Sequence, residues 1–325
     1  MKNRSLRFLV AAFLCVFSIV AVAQDYPAKP VKLVVPYPAG GALDVFARGL
    51  AEHMQARLKQ TFVVENRVGA TENVAANYVA KAPADGYTLF VCTEAPLASN
   101  QFLYKTMSYD PAKDLKPISL MARVPLLMAA SPTFPAKDAK EFAAVARTRS
   151  NNPVAFASGG VGGSSHLPIV MLAKNEGFAF NHVPYNGIPP LIPDLNTGRV
   201  DAVFGPVSVM QPFVKDNVVK AMAVQGETRL KSLPNVPTFK ELGIVDIKAQ
   251  VWFALVGPGN MPDALVARLA TLTKEILASP EFLSKYVEPF SISPVGTTPA
   301  EFASFIVAER EYQRERVRLS GAKMD

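Results

Sequence analysis

The chain reads as an α/β protein of two lobes, each a parallel sheet covered by helices. Three observations predict this. Short β-branched apolar runs alternate with stretches whose apolar residues recur at helical spacing. Strand–helix alternation of this kind produces parallel sheets with helices on their faces. The alternation also starts twice, near Val31 and again after Pro125, in series of similar size, although no sequence repeat relates them. A length of 325 residues accommodates two domains of roughly 100–150 residues each.

In the first series, residues 31–35 (VKLVV) form a buried strand, and Leu43, Phe46, Ala47, Leu50, Ala51, Met54 and Leu58 follow on one helical face. Residues 62–65 make a second strand and 74–81 a second helix. Pro83-Ala84-Asp85-Gly86 turns the chain into a third strand over 87–92. In the second series the strands are 126–130, 154–157, 178–183, 200–204 and 218–224. Helices fall at 138–149, at 164–174 with Pro168 near the first turn, and after Pro189-Pro190, ending at Gly198. The chain closes with an apolar strand over 250–256 that carries Trp252, then a helix striped by Leu265, Leu269, Leu272 and Ile276. Thr298-Pro299-Ala300-Glu301 is a capping box with proline at the first helical position, and it opens a last helix. The charged tail of that helix, 309–318, reads as a solvated face.

Ahead of the first strand, Lys2, Arg4 and Arg7 precede an apolar stretch over 9–22 and the small residues Ala21-Val22-Ala23. This is the pattern of a secretory signal peptide cut after Ala23. Its apolar core is short for a spanning helix. The mature chain would begin near Gln24, and the formal charge falls from +7 to +4 as the three leader cations leave. That modest excess, without a Lys/Arg cluster interleaved with aromatics, does not point to nucleic acid. Cys15 leaves with the leader, so Cys92 remains alone and reads as a small core hydrophobe. An exported chain that folds without a disulfide fits a bacterial periplasm.

The chemistry concentrates in two loops. In VKLVVPYPAGGALD the strand breaks at Pro36 and Pro38, passes Gly40 and Gly41, and opens into a helix. The free amides and the dipole of a helix start suit a carboxylate or a phosphate. Asp44 there either caps and anchors the helix or accepts hydrogen bonds near a ligand. The second loop, Gly159-Gly160-Val161-Gly162-Gly163-Ser164-Ser165-His166, repeats the arrangement. It is either a facing cradle or a flexible turn capped by Ser164 or Ser165. It is not a dinucleotide fingerprint, because Ser165 stands where the third glycine belongs. Neighbouring Ser164, Ser165 and His166 do not face one another as nucleophile and base must, and no G-x-S-x-G elbow occurs. His182 lies far off in sequence, and His53, beside Glu52, reads as solvent-facing. The three histidines and one mature cysteine lack metal-ligand spacing. No catalytic residue, metal or cofactor is expected.

These residues, taken in order, resemble the Bug proteins, the extracytoplasmic solute receptors of the tripartite tricarboxylate transporter type. The matches are Tyr26-Pro27 with Pro30, VVPYPAGGALD with Ala47-Arg48, Val64-Glu65-Asn66-Arg67 with Gly69-Ala70, and Asp85-Gly86-Tyr87-Thr88-Leu89. They continue through Tyr109-Asp110-Pro111 with Asp114 and Pro117-Ile118, Ala157-Ser158-Gly159 with His166-Leu167, and His182-Val183-Pro184-Tyr185 with Gly187. Gly198-Arg199-Val200-Asp201, Arg229 with Leu233-Pro234-Asn235-Val236-Pro237-Thr238, Trp252-Phe253 and Pro258 complete them. The resemblance covers nearly all of the mature chain.

It implies a type II periplasmic-binding-protein fold, two α/β lobes with a ligand cleft and hinge between them. Lobe 1 would comprise 24–121 plus 226–325 and lobe 2 would comprise 122–225. The ligand would be a small organic carboxylate, held largely by backbone amides and ordered water, and buried by hinge closure. The implied partners are the membrane subunits of a tripartite tricarboxylate-type transporter or a sensor kinase, with the receptor a monomer. Carried over, the first-lobe cradle is Pro38, Ala39, Gly40, Gly41 and Asp44, and the second is Ser158, Gly160, Gly162, Gly163, Ser164 and His166. Thr93, Gly205 and Ser208 would line the rest.

The chain departs from the family pattern at Thr71-Glu72-Asn73 and Ala75, where further glycines are common, at Asn186, where Lys is common, and at Gly205-Pro206, where an acidic residue is frequent. A Glu72 near a carboxylate site is repulsive unless it points outward. Two other readings stand beside the receptor: a periplasmic hydrolase using the same cleft, and a degenerate receptor without ligand.

Overall fold

A computed structural model describes residues 26–245 and 247–324; the signal peptide and its cut after Ala23 lie outside the described residues. Strands follow the order β2-β1-β3-β9-β4-β7-β5-β6, with β8 and β10 (Ser293–Pro294) paired to β4 off this path. In the first lobe, β1 (Val31–Val35) lies parallel between β2 (Phe62–Asn66) and β3 (Thr88–Cys92). Strand β9 (Gln250–Pro258) runs antiparallel to β3. In the second lobe, β5 (Val154–Ser158) lies parallel between β6 (Phe180–Pro184) and β7 (Ala202–Pro206).

Strand β4 (Leu115–Ala130) joins the lobes. Its first part pairs with β9 and its last part, from Leu126, with β7 and with β8 (Lys220–Val224). Sequence reading expects a strand only from residue 126, after Pro125. Proline is tolerated inside a sheet at bulges, and the β4·β9 register shifts between Pro117 and Ser119 and again between Leu120 and Ala122.

The helices cover these sheets. Helix α1 (Ala42–Leu58) buries Phe46 edge-on against Phe253 and Phe282, with ring centroids 5.4 and 5.2 Å away. Helix α2 (Asn73–Ala80) follows β2. Asp138 caps α3 (Ala139–Thr148) by accepting from the amides of Lys140 and Glu141. Helix α4 (Leu167–Glu176) starts three residues later than its sequence pattern predicts, because 163–166 form a turn. Helices α5 (Ile192–Thr197), α6 (Val207–Lys215) and α7 (Asp263–Leu277) precede α8 (Pro299–Ser320), which carries the expected capping box.

Two sequence expectations need correction. The tail of α8 is solvated on one side only: Glu311, Arg314 and Arg318 are exposed, but Glu309, Gln313 and Arg316 are buried, because α8 packs against residues 95–103 and β4 and also against α4. His53 is not solvent-facing. It lies 8% exposed, with its ring edge-on to Phe282 and Tyr286 and Nδ1 3.0 Å from the Gly49 carbonyl. The packing of a segment more than 200 residues away is not visible in local periodicity.

Candidate ligand-binding cleft

The predicted loops follow the carboxyl ends of strands, the edge where α/β sheets receive ligands. Residues 38–41 follow β1, Thr93 follows β3, Ser158 ends β5, and Gly205 and Ser208 sit at the end of β7 and the start of α6. The lobes meet nearby. A Cβ added at Gly162 would lie 2.6 Å from Leu103 Cδ2, and Leu103 packs with Leu167 and Val317.

In the first loop Pro38, Ala39, Gly40 and Gly41 are exposed. Gly40 has φ +86°, open to glycine but strained for other residues. Gly41 is the N-cap of α1 and supplies no side-chain hydrogen bond, so the first amides of a 17-residue helix lack a side-chain cap. Asp44 does not reach into the open. It is 1% exposed and accepts from the Gly40 amide (2.9 Å), Asn66 (2.8 Å) and both arms of Arg48 (2.8 and 3.0 Å). Burial opposes its charge, but the bonds from Arg48, Asn66 and Gly40 outweigh it and hold the carboxyl below its usual range. Asp44 thus fixes the turn that presents the helix start.

Behind that turn lies Glu72, 2% exposed and pointing inward. It accepts from the Thr93 amide at 3.0 Å, the Tyr37 hydroxyl at 2.8 Å and the Thr93 hydroxyl. Burial pushes its carboxyl up to about 7 against those three bonds. Glu94 beside it is pushed to about 8, chiefly by burial. Arg316 from α8 is buried too, with Nε and Nη2 lacking hydrogen-bond partners.

In the second loop, several amides are held by the chain's own side chains. The Gly159 amide donates to Ser165 Oγ (2.8 Å), Gly160 to Ser158 Oγ (3.2 Å) and Gly162 to His166 Nδ1 (3.0 Å). Ser164 is half-buried, and Gly163 accepts at its carbonyl from the amides of His166 and Leu167. Ser165 therefore closes the loop, while α4 has no side-chain cap. His182, distant in sequence, stacks on His166 with centroids 3.7 Å apart. Burial, with His182 and Arg316 nearby, pushes His166 down to about 3, so both rings are neutral stacking partners at neutral pH. Ser158 Oγ lies 2.6 Å from His182 Nε2 but also donates to the Gly160 carbonyl at 3.0 Å. No carboxylate among the described residues bonds the other nitrogen of His182, and Ser158 is fully buried, so the pair locks the loop. Gly205 packs against Met210, and the Ser208 hydroxyl is buried without a partner.

Sequence reasoning named the two loops, and both follow strand ends in the fold. For the site it did not name Tyr37, which adjoins the first loop in sequence, or Leu103, His182 and Arg316, which the tertiary fold brings to the second loop, and it left the orientation of Glu72 open.

Two α/β lobes joined through β4, with an uncapped helix start after β1 and a glycine loop after β5, have the architecture of a two-lobed solute-binding protein. The family described as "Tripartite tricarboxylate transporter family receptor" matches residues 46–318. The chain belongs to this family, and is a solute receptor rather than an enzyme. Protein BugT of Bordetella pertussis is 33% identical over 303 residues, 93% of this chain and 92% of BugT. The structure of R. palustris Rpa4515 with adipate has a TM-score of 0.82 at 31% identity, covering 92% of this chain and 100% of that one. MatC from Rhodopseudomonas palustris with bound malate has a TM-score of 0.76 at 27% identity, covering 90% and 100%.

Proposed function

We propose that the chain is a periplasmic receptor that captures a small carboxylate-containing organic anion between its lobes. It delivers that anion to the membrane subunits of a tripartite tricarboxylate-type transporter, or to a sensor kinase. The carrying observation is the start of α1, where Gly41 leaves the amides of a long helix without a side-chain cap beside exposed residues 38–41. Adipate on Rpa4515 and malate on MatC support a carboxylate as the ligand class. The leader pattern over residues 2–23 supports export with a cut after Ala23. The lobes divide as 24–121 plus 226–325 and 122–225, with β4 as one crossing, and the receptor acts as a monomer.

The test is thermal stability of purified mature protein against aliphatic, aromatic and amino-acid carboxylates. A ligand that binds only the folded state at 100 times its Kd adds about 2.7 kcal/mol. A broad panel giving no shift, with nothing copurifying, would overturn the carboxylate reading.

A further inference from the structure

Residues 70–72 adopt a backbone that their side chains disfavour. Ala70, Thr71 and Glu72 have φ of +47°, +47° and +74°. Such values in consecutive non-glycine residues, one of them β-branched, persist only when the surroundings over-determine them. The surroundings do so here. Asn100 Nδ2 donates to the Thr71 carbonyl at 2.7 Å, and the Tyr104 hydroxyl lies 3.2 Å from Thr71 Oγ1. Asn73 Oδ1 accepts from Asn100 and from the Tyr109 hydroxyl, both at 2.8 Å. The result is to set the Glu72 carboxylate on the Thr93 amide, the Thr93 hydroxyl and the Tyr37 hydroxyl. These donors lie at the carboxyl ends of β3 and β1, where a ligand anion would meet them.

We infer that Glu72 takes the place of one ligand carboxylate and makes the cleft select a monocarboxylate over a dicarboxylate. This rests on the carboxylate-receptor reading and names its substrate class. A second ligand carboxylate would have to displace Glu72 from Thr93 and Tyr37, and would lie beside buried Glu94. The second lobe offers little replacement, because the amides of Gly159, Gly160 and Gly162 already donate to Ser165, Ser158 and His166. The start of α1 remains for one anion. The other end of that ligand then faces Glu72 and must be uncharged or a hydrogen-bond donor, since buried like charges repel.

The experiment measures affinities for matched pairs, hexanoate with adipate and benzoate with terephthalate, by calorimetry at pH 7.5. Wild type should bind the monocarboxylate of at least one pair tenfold or more tighter than its dicarboxylate. Glu72→Gly, which also suits the positive φ, should raise affinity for that dicarboxylate at least tenfold relative to its matched monocarboxylate. Glu72→Ala keeps the question answerable if the glycine variant does not fold. A wild type that prefers dicarboxylates, or variants that leave the ratio unchanged, would overturn this inference while carboxylate binding itself stands. Absence of binding to all four probes in all three proteins moves the same comparison to the carboxylates that shift thermal stability in the broad panel, and a panel with no hit would overturn both.

Discussion

Replacing Glu72 by Gln isolates a single buried proton. In the fold the Glu72 carboxyl is removed from water and titrates near 7, whereas its ordinary value is 4.5. Its neighbours are Tyr37, Thr93, Cys92, Glu94 and Tyr109, none of them cationic. The protein therefore binds this proton more tightly folded than unfolded. Stability from it is complete below about pH 4.5 and is lost as pH rises through about 7. At about 1.4 kcal/mol per tenfold, the whole loss is roughly 3 kcal/mol. Glutamine keeps an acceptor for the Thr93 amide and carries no titrating charge. Urea unfolding of both proteins at half-unit steps from pH 4.5 to 8.5 measures the difference directly. Relative to wild type, Glu72→Gln should gain roughly 3 kcal/mol across that range. His166, pushed down to about 3, stays neutral across that range, whereas Glu94, pushed to about 8 by burial and in part by the charge of Glu72, ionises more readily once Glu72 is replaced, so the comparison is repeated in a Glu94→Gln background. A flat difference, or a variant that loses ground as pH rises, would show that the three donors outweigh burial, and the reasoning would fail.

Gly41→Val should abolish ligand-induced stabilisation yet leave the circular dichroism melt cooperative, since a Cβ there meets only the Pro38 carbonyl at 3.5 Å and φ is −71°; unchanged affinity would move the site elsewhere. Gly162→Ala should cost about 1–2 kcal/mol in urea for its φ of +72°, and should enlarge the ligand-bound radius of gyration in X-ray scattering by pressing on Leu103. Thr298→Ala should cost about 1 kcal/mol by removing the side-chain half of the α8 capping box. Arg316→Met should lower the urea midpoint at pH 8.5, because buried Glu94 and Glu309 lose the cation that faces them.

The strand–helix order of both lobes is legible because β-branched runs such as VKLVV and stripes such as Leu43, Phe46 and Leu50 reflect burial directly. The 159–166 loop is legible for a related reason, since its glycines announce a backbone that others avoid, as φ at Gly160 and Gly162 shows. The first half of β4 is not, because Pro117 sits where the register with β9 shifts and Pro125 interrupts the apolar run. His53 and Arg316 are misread because charge and imidazole pattern as surface until a remote segment covers them. Glu72 is the subtlest case. Its identity flags a conflict with an anion site, but the inward turn depends on Asn100, Tyr104 and Tyr109 holding the loop from another part of the chain.

The uninterrupted run of β4 through both sheets also bears on how the molecule comes apart. Neither lobe owns all its strands, since β4 completes the hydrogen-bond ladders of β9 on one side and of β7 and β8 on the other. Melting one sheet exposes the edge of the other, so the lobes should unfold as one cooperative unit, with calorimetric and van't Hoff enthalpies in agreement. For the same reason, opening must bend a twisted ribbon as a leaf spring bends. The amplitude of opening is then bounded by how far sixteen residues can flex before their ladder breaks.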